Sequence, residues 1–188
     1  MGFFSSLSSL LGLGKKEVSI IVVGLDNSGK TTILNQLKPP ESKSANIAPT
    51  VGYNIANFSA GNLNFCAFDM AGQSKFRNMW ESYYSSCQAL VFVLDSCDQI
   101  RMPVARDELW TILDHKDIQN RPVPILVLGN KMDIPGGMSA EELTVSMGLE
   151  VIRNHKWKIQ SVCALSGQNL DVAMQWLSKE IAAFMERR

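Results

Sequence analysis

Much is missing from this 188-residue sequence, and each absence removes a class of function. No apolar run approaches the 18 or so residues needed to cross a bilayer as a helix. The first residues lack the charged start and cleavage site of a secretory signal. Four cysteines, Cys66, Cys87, Cys97 and Cys163, are scattered without a CxxC pair. With only His115 and His155 beside them, no zinc spacing exists. They read as reduced thiols of a cytoplasmic protein. Neither sign of charge dominates, with 18 Lys plus Arg against 18 Asp plus Glu. That balance gives no basic field, so nucleic acid is not an expected partner. There is no internal repeat and no low-complexity segment, and a monomer is expected.

What is present is the pattern of an α/β protein. The run EVSIIVVG, residues 17–24, is almost continuously apolar, as a strand buried on both faces of a parallel sheet must be. A glycine-punctuated loop follows and opens a helix over 31–37, which Pro39-Pro40 stops. Residues 41–50 are polar and read as a loop. Residues 51–58 and 63–69 alternate and are joined by Ala60-Gly61-Asn62, a β-hairpin pattern. Further strands are expected at 89–94, 124–128 and 158–162. Helices are expected at 74–85, 102–114, 139–147 and 169–185. Strands alternating with helices predict a three-layer α/β/α sandwich on a six-stranded, mostly parallel sheet with one antiparallel strand. Two parts are expected, an N-terminal amphipathic segment over 1–14 and one folded domain over 15–188.

Gly24-Leu25-Asp26-Asn27-Ser28-Gly29-Lys30-Thr31 fits G-x-x-x-x-G-K-S/T, and Thr32 continues it. The glycines let backbone N–H groups converge on phosphate oxygens, and the helix adds its free N-terminal N–H groups. Lys30 brings a full charge to the β- and γ-phosphates, and the Thr31 hydroxyl can ligate Mg²⁺. Asp69-Met70-Ala71-Gly72-Gln73 follows the second hairpin strand. There Asp69 can hold the Mg²⁺ shell through water, Gly72 can offer its N–H to a γ-phosphate, and Gln73 can orient an attacking water.

Asn130-Lys131-Met132-Asp133 follows the strand PILVLG. A carboxylate at Asp133 can accept from N1–H and the exocyclic amine of guanine. Adenine offers neither, so it would leave a buried carboxylate unpaired. Asn130 can brace the loops, and the Lys131 stem can lie on the base face. After the last strand come Cys163 and Ala164, and the Ala164 N–H can meet the guanine O6. A P-loop kinase or ATPase is the main competitor, and NKMD argues against it.

GLDNSGKTT, Thr50, DMAGQ, NKMD and CAL together resemble the small Ras-like GTPases. The GLDNSGKTT loop, the amphipathic extension from Gly2 and the W-x-x-Y of Trp80 to Tyr83 resemble the ADP-ribosylation-factor (ARF) branch. KKEV, GLDNSGKTTI, FDMAGQ and RNMWE-x-YY are similar to an ARF-like subgroup linked to a ciliary coat complex. The resemblance implies a slow GTP hydrolase that cycles between GTP and GDP with Mg²⁺. Thr50 would cap the Mg²⁺ in the GTP state, and Gly72 and Gln73 would lie in switch II. Asn130, Lys131, Asp133, Cys163 and Ala164 would line the base pocket. Tyr53, Phe68 and Tyr83 would form an aromatic effector patch. Implied partners are an exchange factor, an activating protein and a coat or adaptor complex of the BBSome kind. Two departures stand out: Ala71 where ARF proteins usually have glycine, and Phe68 where they usually have tryptophan.

No arginine lies in ESKSANIAP before Thr50, so intrinsic hydrolysis is expected near about 10⁻⁴ s⁻¹, with an arginine supplied in trans. A GTP-binding scaffold with negligible turnover is the alternative. In residues 2–13, GFFSSLSSLLGL, the side chains of Phe3, Phe4, Leu7, Leu10 and Leu11 share roughly a 120° arc of a helix. M-G-x-x-x-S at the start also fits N-myristoylation. An acyl chain and a helix form a two-signal anchor, so a peripheral membrane location in the GTP state is expected, at or near the cilium.

Overall fold

Residues 18–23 form the centre of the sheet, and both faces are covered. The computed structural model describes residues 15–187. The expected N-terminal segment and its Gly2 lie outside them. Strand β1 (Lys16–Val23) pairs in parallel with β3 (Leu63–Met70) on one side and β4 (Ala89–Asp95) on the other. Beyond β4 lie β5 (Ile125–Asn130) and β6 (Trp157–Ser161), again parallel. Strand β2 (Tyr53–Ala60) pairs antiparallel with β3 as the expected hairpin, giving the order β2-β3-β1-β4-β5-β6.

The helices are α1 (Lys30–Leu37), α2 (Met102–Asp114), a single turn α3 (Lys116–Gln119), α4 (Ala140–Met147) and α5 (Leu170–Glu186). Alternation along β1 decides which helices it meets. Val18, Ile20 and Val22 pack with Ile33 and Leu34 of α1 and Leu177 and Ile181 of α5. Ile21 and Val23 pack with Leu109 and Ile112 of α2 and Leu143 of α4. Each such buried aliphatic side chain contributes roughly 1.5–3 kcal/mol, so the central strand is fixed from both sides. The three-layer expectation therefore holds, with one antiparallel strand.

One expected element has a different form. Residues Ser74–Tyr83 wind as a 3₁₀ segment rather than an α-helix. Trp80 is the only buried residue in it, so no apolar stripe exists to seat an α-helix. Instead the segment is tied to the loop before it, because the Trp80 indole N–H donates to Ala71 O at 3.1 Å. Short 3₁₀ runs also form at Pro40–Ser42, Gln99–Arg101 and Leu149–Val151, where no element was expected.

The carboxyl ends of β1, β3, β4, β5 and β6 lie along one edge of the sheet. The loops that carry every motif leave from that edge, where open α/β sheets bind ligands.

Candidate nucleotide site

Helix α1 and helix α4 begin in opposite ways. Helix α4 carries a complete capping box, Ser139 with Glu142, and ends on Gly148 in the left-handed region. Helix α1 starts after Gly29 at φ 93° with no side-chain cap and no acidic residue in its first turn. Its first N–H groups are thus left for an anion. Gly24 is a residue no other type can replace. Its φ is 138°, and a Cβ would lie 2.2 Å from Val93 O.

Lys30 is buried, and its Nζ donates to Gly24 O at 3.0 Å and to Leu25 O at 2.8 Å. Burial pulls its pKa down to about 8, against the opposing fields of Asp69 and Asp26. The pocket above it is about 340 Å³ and is lined by Asp26, Asn27, Gly29, Thr31 and Thr32 from the loop. Thr50, Gly72 and Gln73 close it from the other side. Gly72 sits hard against the phosphate loop, since a Cβ there would come within 2.4 Å of Asp26 N and of the Leu25 carbonyl carbon.

Three oxygen-bearing side chains converge beside Lys30. The Thr31 hydroxyl donates to Asp69 Oδ2 at 2.8 Å and lies 2.9 Å from the Thr50 hydroxyl. Thr50 also donates to Asp69 Oδ2, at 3.4 Å. Asp69 is 2% exposed, and its other oxygen, Oδ1, is buried without a hydrogen bond. Burial raises its pKa above the ordinary carboxylate value, although Thr31 and Lys30 oppose the rise. A buried carboxylate with a free oxygen, flanked by two hydroxyls, is a hard-oxygen set that suits Mg²⁺. Among the described residues no group of three His, Cys, Asp or Glu offers an alternative metal site.

The base end is held together by Asn130. Its Nδ2 donates to Ser28 O at 2.9 Å, and its Oδ1 accepts from Ala164 N at 3.0 Å. One side chain thus joins the phosphate loop to the loop after β6, as expected of a brace. The second bond engages the Ala164 N–H, the group expected at the guanine O6. Cys163 also serves the loop itself. Its N–H goes to Gln168 O, its C=O accepts from Gly167, and its thiol is buried. Asp133 is exposed. Its desolvation begins only when a base covers it.

Lys131 has φ 69°, rare for a residue with a Cβ, and its Nζ donates to Asp95 Oδ2 at 2.5 Å. Asp95, the last residue of β4, was missed in the sequence. Its signal was a carboxylate ending an apolar strand at the functional edge. Arg101 was missed too. It donates to the Asp26 side chain at 3.0 Å and to Asp26 O at 3.2 Å, while Asp98 holds it from behind.

A profile of the ADP-ribosylation factor family matches residues 3–181. The chain belongs to the ADP-ribosylation factor family. It is 61% identical over its full length to ADP-ribosylation factor-like protein 6 of Caenorhabditis elegans, covering 99% of that relative. It is 46% identical to the protein of the same name in Danio rerio over 97% of this chain and 98% of the relative. The solved Arl6 BBS3 small GTPase from Trypanosoma brucei, with bound nucleotide analogue GppNp, superposes with a TM-score of 0.83 at 37% identity. That superposition spans 89% of this chain and 99% of the other. This ARF chain is accordingly a GTP hydrolase whose cofactors are GTP or GDP and Mg²⁺. Of its two departures from the ARF pattern, Ala71 lies outside the left-handed region, so its Cβ adds no backbone strain. Its N–H donates to Gly52 O at 2.9 Å.

Proposed function

We propose that this chain is a nucleotide switch that binds membrane reversibly and, in the GTP state, recruits a coat or cargo-adaptor complex of the BBSome kind, at or near the cilium. The observation that carries this is an aromatic cluster placed between the two nucleotide-sensing segments. Tyr53 begins β2 three residues after Thr50, Phe68 precedes Asp69 on β3, and Tyr83 ends the 3₁₀ segment that follows Gln73. Their rings meet with centroids 4.5 Å apart for Phe68 and Tyr83 and 5.3 Å for Tyr53 and Tyr83. The cluster is only partly buried, and Val51 and Ile55 beside it are exposed. A change at the Mg²⁺ cluster therefore moves an apolar surface patch, which is what a state-dependent partner reads.

In this reading the residues of the site divide the work. Gly24 to Thr32 hold the phosphates, and Mg²⁺ when bound offsets their charge, with Thr31 and Thr50 as ligands and Asp69 acting through water. Gly72 senses the γ-phosphate, and Gln73 orients the attacking water. Asn130, Lys131 and Asp133 read the base. Exchange and activating proteins set the cycle, the latter supplying the arginine. The amphipathic segment, with or without an acyl group on Gly2, supplies membrane affinity. Similarity to the Arl6 BBS3 small GTPase of Trypanosoma brucei supports the choice of coat.

The test is liposome flotation of the purified chain loaded with GDP or a non-hydrolysable GTP analogue, followed by pull-down with the Gln73→Leu form. GTP-dependent flotation and GTP-dependent capture of an adaptor complex are expected. Equal flotation in both states rejects the membrane switch. Unaltered hydrolysis in Gln73→Leu removes Gln73 from the mechanism and favours the slow scaffold.

A further inference from the structure

Arg77 and Glu108 lie outside the phosphate and base motifs, yet together they hold the loop that carries Gln73. Arg77 lies in the 3₁₀ segment and Glu108 midway along α2. Their side chains are 15% and 26% exposed and form a close ion pair through Arg77 Nη1 and Glu108 Oε1. The same guanidinium donates through Nε to Gly72 O at 3.1 Å. Gly72 O belongs to the peptide unit that carries the Gln73 N–H, so anchoring it fixes where Gln73 leaves the backbone. On its other side Gly72 is pressed against Asp26 and Leu25, with no room for a Cβ. The Gly72 unit is therefore gripped between the phosphate loop and Arg77.

We propose that Arg77 and Glu108 are positioning residues that form a latch, closed only when Gly72 is seated on the phosphate loop, and that this latch sets the preference for GTP over GDP and aims Gln73. Arginine suits the place because its planar fork reaches a carbonyl and a carboxylate at once, which a lysine cannot do. Glu108 suits it because α2 is anchored in the core independently of the loop. Its neighbours Leu109 and Ile112 are fully buried in the core. The latch adds binding energy to one state alone, which is the condition for shifting an equilibrium between two states. It concerns the nucleotide reaction and does not depend on membrane recruitment.

The experiment uses the full chain as Glu108→Ala, Glu108→Gln and Arg77→Lys. Dissociation constants for GDP and for a non-hydrolysable GTP analogue are measured with hydrolysis of preloaded GTP in a single turnover. Thermal unfolding of the GDP-loaded form reports on simple structural damage. Glu108→Ala is expected to lower the GTP-over-GDP preference about tenfold, the effect of losing one charge-assisted hydrogen bond in one state only. Hydrolysis slows in parallel, while GDP affinity and the unfolding temperature of the GDP form hold. Glu108→Gln keeps an acceptor oxygen without the charge and falls between Glu108→Ala and the unmodified chain. Arg77→Lys behaves like Glu108→Ala. A preference within about twofold of the unmodified chain overturns the latch. So does an equal loss of GDP and GTP affinity, which would make the pair a plain structural contact.

Discussion

At the phosphate end of the site, ionisable groups are buried by the protein itself. Lys30 is 5% exposed and Asp69 is 2% exposed. Each has its pKa displaced toward the neutral form by burial. At the base end the order is reversed. Asp133 is exposed, and the Ala164 N–H already has a partner in Asn130. The difference teaches how a switch can hold nucleotide firmly and still read the base. The phosphate end stores unmet electrostatics that only a polyanion with a cation relieves. The base end acquires its selectivity when the base itself excludes water from Asp133.

The sharpest way to break this contrast is Lys30→Ala. It should weaken GDP and GTP binding alike by roughly 2–5 kcal/mol, the usual loss when one partner of a buried charged contact is truncated. Calorimetric titration checks it, and near-normal affinity would show that the phosphate end is not preorganised by charge. The same lysine predicts a pH effect. Burial brings its pKa down to about 8, and only the protonated ammonium attracts phosphate. Affinity should therefore be highest below pH 8 and fall as the pH rises through it, and binding just above pH 8 should take up a proton. Titrations in two buffers of different ionisation enthalpy detect that proton.

Asp133→Ala should act at the other end only. Inosine triphosphate lacks the exocyclic amine of guanine, so the variant should lose the preference for GTP over it, a change of roughly 1–3 kcal/mol. The Mg²⁺ requirement should stay as it was. If Mg²⁺ dependence shifted as well, the two ends would not be separable. Asp95→Asn is a smaller perturbation. It frees Lys131 from its anchor and should speed nucleotide release by a factor of about 3–10 by the loss of one charge-assisted bond. Stopped-flow release of a fluorescent nucleotide measures it.

His155 lies away from both ends and tests neither. Its Nδ1 meets Val123 O at 3.0 Å, and burial lowers its pKa. A histidine held neutral by the fold contributes stability above its unfolded pKa, and that stability is lost as the pH falls below it. His155→Gln should thus flatten the drop in unfolding temperature between pH 7 and pH 5 while nucleotide affinity is untouched.

What could be read in the sequence was what depends on neighbours along the chain. The glycines and lysine of residues 24–31, the six strands and the order of the loops are local patterns. Three things were out of reach because they depend on which strands become neighbours. Asp95 meets Lys131 only because β4 and β5 pair in the register that sets Asp95 opposite Asn130. Arg101 reaches Asp26 across the mouth of β1 and β4. The bond from the Ala164 N–H to Asn130 Oδ1 likewise follows from the pairing of β5 with β6. The 3₁₀ form of residues 74–83 was misread for a related reason. Residues 74–85 are expected as a helix, but the tie from Trp80 back to Ala71 is a tertiary contact that the local sequence does not show.

That tie has a practical consequence. Of the four tryptophans, Trp80 alone is buried, at 1% exposure, and its indole proton rests on the carbonyl that precedes Gly72. A rearrangement that shifts the Ala71 carbonyl strips or restores that bond. The molecule therefore carries its own optical gauge, and the emission of the unlabelled chain should report nucleotide exchange in real time.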